Sequence, residues 1–195
     1  MRIYLFDEGL ARFATEPYEA PKQQNLNDVF MHLTNYAINK QNDNYEANEC
    51  EDGSGGGHKR SLTQIWIDIV NQERRKKPKD RSVYMEAVSK VNVLKEKIKD
   101  IIIKTLITGQ PSIWHLYRSC QPEDYENQLC FQLLGFDIML DSEMKPWLLE
   151  VNHAPSLATD SGFDLALKQR LVEDILKLLN LDIKKKNQYI NQHKK

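Results

Sequence analysis

Leu134-Gly135-Phe136-Asp137-Ile138-Met139-Leu140, followed by a polar segment from Asp141 to Pro146 and then Trp147-Leu148-Leu149-Glu150-Val151-Asn152, is the stretch whose reading decides the fold. Two apolar runs around a short charged segment are the pattern of a β-hairpin. With the turn centred on Glu143-Met144, Leu140 faces Trp147 and Asp137 faces Glu150. Asn152, two residues on, shares Glu150's side of the strand because side chains alternate. A slip of one residue would separate these groups, whereas a slip of two would keep them on one face.

The pairing is costly. Asp137 and Glu150 interrupt apolar strands, and like charges facing each other destabilise a sheet. Either one carboxyl is protonated, a cation sits between the two, or a Lys or Arg reaches across both. Mg²⁺ fits the second case. It is hard, takes oxygen ligands, and is commonly held by one or two carboxylates together with substrate phosphates. Asn152 offers a third oxygen without adding charge.

Outward from this hairpin, Arg2-Ile3-Tyr4-Leu5-Phe6 and Leu10-Ala11-Arg12-Phe13-Ala14-Thr15 read as two strands joined at Asp7-Glu8-Gly9. Residues 16–28 are polar loop, with Asp28 able to cap a short helix over Val29–His32. Residues 41–61 are rich in Asn, Asp, Glu and Gly, which predicts a mobile acidic loop. A helix starts at Ser61, with Ile65, Trp66 and Ile69 near one stripe. Another starts near Val83, where Val88, Val91, Leu94, Ile98, Ile101, Ile102 and Thr105 recur at helical spacing, and is expected to end at Gly109-Gln110-Pro111. After Asp160-Ser161 comes a last helix with Leu165, Leu171, Ile175, Leu178 and Leu179 as its apolar stripe. Strands and helices in mixed order predict an α+β fold, an antiparallel sheet with packed helices.

The 195 residues are 41% hydrophobic and 28% charged, with 27 Lys and Arg against 28 Asp and Glu. A net charge of −1 excludes a global polyanion binder, so no nucleic-acid partner is expected. No run approaches the ~18 apolar residues of a membrane span. Cys50, Cys120 and Cys130 show no zinc spacing. With no signal-like segment at the start, these features predict reduced thiols and a cytoplasmic protein. The charges are nevertheless segregated. Asp43, Glu46, Glu49, Glu51 and Asp52 form an acidic window, eleven bases face five acids between Glu73 and Lys104, and residues 184–195 hold five lysines and no acid. Such segregation either steers an acidic partner or is a solvated helix face with a frayed tail.

Three smaller groups carry candidate chemistry. His32-Leu33-Thr34-Asn35 gathers imidazole, hydroxyl and amide groups that could bond a nucleotide or their own backbone. Arg12 would clamp a phosphate if it points into a cleft, or stand on an exposed strand face. Asn152-His153-Ala154-Pro155-Ser156 is a bent polar peptide at a strand end, where ligand contacts concentrate.

Together these blocks resemble the tubulin–tyrosine ligase-like family. The resemblance rests on Arg2 through Tyr18, on His32-Leu33-Thr34-Asn35-Tyr36-Ala37-Ile38-Asn39-Lys40, and on Phe131 through Phe136-Asp137-Ile138 and Trp147-Leu148-Leu149-Glu150-Val151-Asn152 to Pro155-Ser156-Leu157. It implies an ATP-grasp fold and ATP-dependent ligation of an amino acid to a protein carboxylate, mostly on tubulin tails. Asp137, Glu150 and Asn152 match the family's Mg²⁺ and phosphate ligands. His32, Leu33, Thr34 and Asn35 match its nucleotide-contacting motif, and Arg12 matches the arginine near the terminal phosphate. Arg12 and Glu150 are thereby the candidate catalytic residues. The implied chemistry passes through an acyl-phosphate and needs charge stabilisation rather than a nucleophilic side chain.

The wording Asn-His-Ala-Pro-Ser resembles the polyglutamylating branch, which implies free glutamate as substrate and puts His153 near the acceptor chain. Residues 183–195 resemble the start of a cationic extension that grips microtubules, leaving 1–182 as the catalytic part. Family members carry about half of the ATP-grasp module before the equivalent of Arg2. This chain is therefore expected to hold the C-terminal portion of the fold, with the N-terminal half missing, and to be weakly active or inactive alone. A monomer on cytoskeletal or ciliary microtubules is expected. Two other readings stay open: a non-catalytic microtubule-binding fragment, and a ligase for tyrosine or glycine.

Overall fold

The computed structural model describes residues 1–78, 80–125, 130–180, 184, 186, 187 and 191. In chain order it has strand β1 (Leu10–Arg12), helices α1 (Val29–His32) and α2 (Tyr36–Asn39), strand β2 (Lys59–Ser61), helices α3 (Leu62–Lys76) and α4 (Arg81–Cys120), strands β3 (Gly135–Leu140) and β4 (Pro146–Asn152), and helix α5 (Gly162–Leu179). Helices thus mix with small antiparallel sheets, as an α+β chain requires. The sheets are two separate pairs, β1 with β2 and β3 with β4. The chain folds as two units, one of Met1–Leu5 with Ile65–Ser156 and one of Phe6–Gln64 with Leu157–Lys195.

In the first unit the buried stripe of α4 is Ala87, Val91, Leu94 and Ile102. These recur at three-, four- and eight-residue steps, which bring them to one face. Asp80 starts the helix by accepting from the Ser82 N–H at 2.9 Å. The helix does not stop at Gly109-Gln110-Pro111 but runs on for 40 residues with Pro111 inside it. Proline removes one ladder bond and crowds the preceding turn. Termination would need more than one lost bond, because the long segment before it has already met the cost of nucleation. On either side of it the Thr108 hydroxyl donates to Lys104 O at 2.8 Å and the Ser119 hydroxyl to His115 O at 2.9 Å, so both side chains stay within the helix they stand on.

Strands β3 and β4 are antiparallel. Gly135 faces Asn152, Phe136 faces Val151 and Asp137 faces Glu150, as the hairpin reading expects. Between Asp137 and Ile138 the register shifts by one, so Ile138 faces Leu148 and Leu140 faces Pro146 rather than Trp147. Leu149 is the extra residue of this β-bulge. The turn explains the shift. Asp141 accepts from the Glu143 and Lys145 N–H groups at 2.9 Å each and from the Trp147 indole at 2.8 Å, and Met144 takes a φ of 60°. This tight loop leaves one residue too many on β4.

In the second unit β1 pairs with β2, Leu10 facing Ser61 and Arg12 facing Lys59. The expected hairpin of residues 2–6 with 10–15 does not form, and residues 2–6 carry no strand. Asp7-Glu8-Gly9 is not a hairpin turn. The Glu8 carboxylate accepts from the Gly9 and Thr63 N–H groups at 3.0 and 3.1 Å, and Gly9 O accepts from Leu62 at 3.0 Å. The segment thus serves the start of α3, whose first donors have no partner within the helix. Ser61 helps by accepting from Gln64 N–H at 3.1 Å.

The loop expected over 41–61 ends in strand β2. Asn48 donates to Lys59 O at 3.0 Å, and His58 Nδ1 accepts from the Glu46 N–H at 3.0 Å. Gly53, at φ 70°, lies where a Cβ would be 2.5 Å from the buried Phe163 ring, so only glycine lets the loop close there. Helix α5 is capped by Ser161, which accepts from Asp164 N–H at 3.1 Å. Its inward face runs through Asp164, Lys168, Leu171 and Ile175. Leu165 and Leu178, expected in the stripe, are exposed because they sit beside that face. Among the described residues no helix is long and apolar enough to cross a membrane. The boundary at 182/183 and most of the basic tail lie outside the described residues.

Candidate functional site

The hairpin of the first unit brings Asp137, Glu150 and Asn152 together. Asn152 Nδ2 donates to Asp137 Oδ2 at 3.0 Å and to Glu150 Oε1 at 3.2 Å. Gly135, opposite Asn152, keeps this corner open: a Cβ there would be 3.1 Å from Pro155 and 3.7 Å from the Asn152 Cβ. Among the described residues Glu150 makes no ion pair, so none of their Lys or Arg side chains bridges both acids. Glu150 is exposed and Asp137 half-buried. The facing acids therefore keep much of their hydration, and the Asn152 N–H groups offset part of their repulsion. Their compensation is smaller than a buried pair of charges would demand.

The donor set fits a hard dication. Two carboxylates stand on one face, and turning the Asn152 amide over would present Oδ1 in place of Nδ2. Among the described residues no three His, Cys, Asp or Glu side chains gather. A cation held here would take its other ligands from phosphate oxygens and water, the usual manner of Mg²⁺. His153 is exposed, and its backbone carbonyl accepts from the Gln132 amide.

The second unit holds the other candidates. Arg12 is exposed on β1, opposite Lys59. Facing cations would repel, but Lys59 is turned to Asp164, with Nζ 2.5 and 2.6 Å from the two carboxylate oxygens. The Asp164 side chain is 1% exposed and that of Lys59 12%. Lys168 adds a second cation at 3.8 Å, and Ser161 Oγ donates to Asp164 at 2.9 Å.

His32 to Asn35 span the end of α1 and the start of α2. Asp28 caps α1 as expected, accepting from the Phe30 and Met31 N–H groups at 3.2 Å each. His32 Nε2 lies 2.8 Å from Asn25 O, so this nitrogen donates and its ring ties down its own loop. Thr34 and Asn35 do not. Asn35 is the α2 N-cap without a side-chain cap bond, and neither side chain hydrogen-bonds among the described residues. Leu33 is exposed.

Sequence reasoning missed Asn39, which organises this unit. It is 1% exposed. Its Oδ1 accepts from the Thr15 N–H and hydroxyl at 2.9 and 3.0 Å, and its Nδ2 donates to Leu33 O and Asn35 O at 2.8 and 3.1 Å. The amide thereby ties the Thr34-bearing loop to the segment leaving β1. Its signal was a polar residue four positions after Asn35 on a short amphipathic turn, too weak to separate from a surface residue.

The chain matches the model of the tubulin-tyrosine ligase family over residues 1–189. It is 46% identical over 194 residues to a protein of Tetrahymena thermophila named a probable beta-tubulin polyglutamylase, covering 100% of this chain and 15% of that protein. It is 44% identical to human tubulin polyglutamylase TTLL6 over 183 residues, 93% of this chain and 18% of the relative. To human tubulin polyglutamylase TTLL13 it is 45% identical over 185 residues, 93% and 20%. The chain thus spans between 15% and 20% of the length of these relatives. A match running from its first residue to within six of its last places the chain in the tubulin-tyrosine ligase family.

Proposed function

We propose that this chain supplies part of the active site of an ATP-dependent ligase that adds glutamate to the acidic C-terminal tails of tubulin. The observation that carries the reading is the convergence of Asp137, Glu150 and Asn152 within 3.2 Å. The names of the relatives supply the acceptor and the amino acid. The fold that this reading requires is the C-terminal portion of an ATP-grasp module, over residues 1–182, with a basic tail over 183–195 that grips microtubules of the cytoskeleton or cilium.

In this proposal Asp137, Glu150 and the turned Asn152 amide hold Mg²⁺, which neutralises phosphate charge when bound. Thr34 and Asn35 donate to the nucleotide, Leu33 lies against it, and His32 holds their loop in place. Arg12 sits at the terminal phosphate, where a guanidinium fork matches the developing charge. An acceptor carboxylate oxygen attacks the γ-phosphorus and ADP leaves. The amine of free glutamate then attacks the acyl carbon, phosphate leaves, and the ammonium proton passes to solvent. Both nucleophiles belong to the substrates, so the residues serve by positioning and charge stabilisation. His153, at the exposed strand end, faces the acceptor chain.

The test is incorporation of labelled glutamate into tubulin by the gene product bearing this chain, with and without ATP. ATP-dependent label in the tails is expected, with little or none from the 195 residues alone. Label from tyrosine or glycine instead would make it a ligase for another amino acid. Microtubule binding without any transfer would make it a non-catalytic binder.

A further inference from the structure

Along helix α4 three lysines are paired with acids, Lys95 lies over the Trp66 ring and Lys97 stands exposed, whereas the bases cluster at its start. Lys90, Lys99 and Lys104 each meet an acid one turn away, Glu86 at 2.9 Å, Glu96 at 2.6 Å and Asp100 at 2.6 Å. At the turn from α3 to α4, residues 73–81 hold six bases against two acids. Both acids are engaged. Glu73 pairs with Lys76 at 2.6 Å, and Asp80 accepts from the Ser82 N–H and hydroxyl at 2.9 and 2.6 Å. Arg74, Arg75, Lys77 and Arg81 are exposed and make no ion pair among the described residues. The turn that carries them is held by the Lys77 N–H on Arg74 O and the Asp80 N–H on Lys77 O, both at 3.2 Å. Lys77, Pro78, Asp80 and Arg81 line a shallow concavity there.

Four cations outside any ion pair at one tip, with Asp80 facing Lys77 as the nearby acid, raise the local potential and attract a polyanion. The chain as a whole carries a net charge of −1, and the window from Asp43 to Asp52 is acidic. A nucleic acid, with phosphates along its whole length, is served by a basic stripe longer than one turn. A short run of carboxylates needs the tip alone, and three arginines offer forks that match carboxylates bidentately. We propose that the α3–α4 tip is a docking surface for an acidic polypeptide segment, gripped by Arg74, Arg75, Lys77 and Arg81. The choice of partner rests on the proposed function, in which the acceptor is a glutamate-rich tail; none of the four bases is among the residues assigned to the reaction.

The experiment is fluorescence anisotropy of a labelled glutamate-rich peptide titrated with the intact protein, without ATP, over a range of salt. The variant Arg74→Gln/Arg75→Gln/Lys77→Gln/Arg81→Gln is expected to bind about tenfold more weakly at low salt and to lose most of the salt dependence. The variant Lys90→Gln/Lys99→Gln/Lys104→Gln, whose lysines already have partners, is expected to bind as the wild type does. Arg74→Lys/Arg75→Lys/Arg81→Lys, which keeps the charge, should retain salt-dependent capture and shows that the fold tolerates change there. Equal losses in the two glutamine variants, unchanged binding in the tip variant, or tighter binding of an oligonucleotide than of the peptide overturns the proposal. Because the readout needs no catalysis, glutamate ligation without tip-dependent capture sinks only the docking surface. Tip-dependent capture without ligation sinks only the ligase reading.

Discussion

Asn152 Nδ2 lies 3.0 Å from Asp137 Oδ2, and the same nitrogen reaches Glu150 Oε1 at 3.2 Å. Across an antiparallel pair, two facing carboxylates repel. One amide that donates to both is the smallest device that holds them together, and it can be reversed by turning the amide over.

Asn152→Asp removes that device and adds a third acid. In the absence of divalent ions the variant is expected to melt at a lower temperature than the wild type. Millimolar Mg²⁺ should raise its melting temperature by more than it raises the wild type's, because a ligand that binds only the folded state stabilises it by mass action. Asp137→Asn and Glu150→Gln should both abolish the Mg²⁺ response. Thermal unfolding with and without Mg²⁺ decides the matter, and equal shifts in all four proteins would show that no ion is held here.

Asn39→Asp keeps the shape and the acceptor toward Thr15 but loses both donors to Leu33 O and Asn35 O. A carboxylate would then face two carbonyls in a site only 1% exposed. A loss of about 2–4 kcal/mol in urea unfolding is expected. If Thr34 and Asn35 contact the nucleotide, the KM for ATP should rise more than kcat falls. An unchanged KM in a folded variant would remove that loop from the nucleotide site.

Local pattern made part of this legible. The Asp137–Glu150 pairing followed from two apolar runs with alternating faces, and the Asp28 cap and the stripe of α4 followed from spacing. The failures have two physical causes: partners distant in sequence for β1, Asn39 and Asp164, and local geometry finer than the pattern rules at the β3–β4 turn and at Pro111. Strand β1 reads as half of a hairpin with residues 2–6, yet its partner is 59–61, because Glu8 is drawn to the Thr63 N–H. The bulge at Leu149 depends on how Asp141 gathers three donors around one turn. Pro111 signals a helix end by local rules, but a long helix absorbs a single missing bond. Asn39 and Asp164 look like surface polar residues until the chain returns to cover them.

The Lys59–Asp164 pair joins residues 105 positions apart at 2.5 Å, with Asp164 1% exposed. Breaking a buried pair from one side leaves an uncompensated charge and costs about 3–5 kcal/mol. Asp164→Asn and Lys59→Met should each approach that loss in urea unfolding. Lys59→Met/Asp164→Leu should lose clearly less than the two single losses together, since no lone charge remains. Additive losses across the cycle would mean that the pair is not coupled.

Asp141 gives the β3–β4 turn a pH dependence with a definite sign. The hydrogen bond from the Trp147 indole, followed by backbone N–H bonds, holds its carboxyl below the ordinary value of 3.8. A group whose folded value is depressed stabilises the fold above its unfolded value and loses that effect as pH falls through the folded one. Wild-type protein should therefore melt at a higher temperature than Asp141→Asn near neutral pH. The gap should persist down to about the ordinary value and close below it as the carboxyl takes up its proton. The Trp147 indole N–H resonance should move over the same acidic range in the wild type and stay put in Asp141→Asn. A gap that remained constant through that range would mean that shape, and not the carboxylate charge, holds the turn.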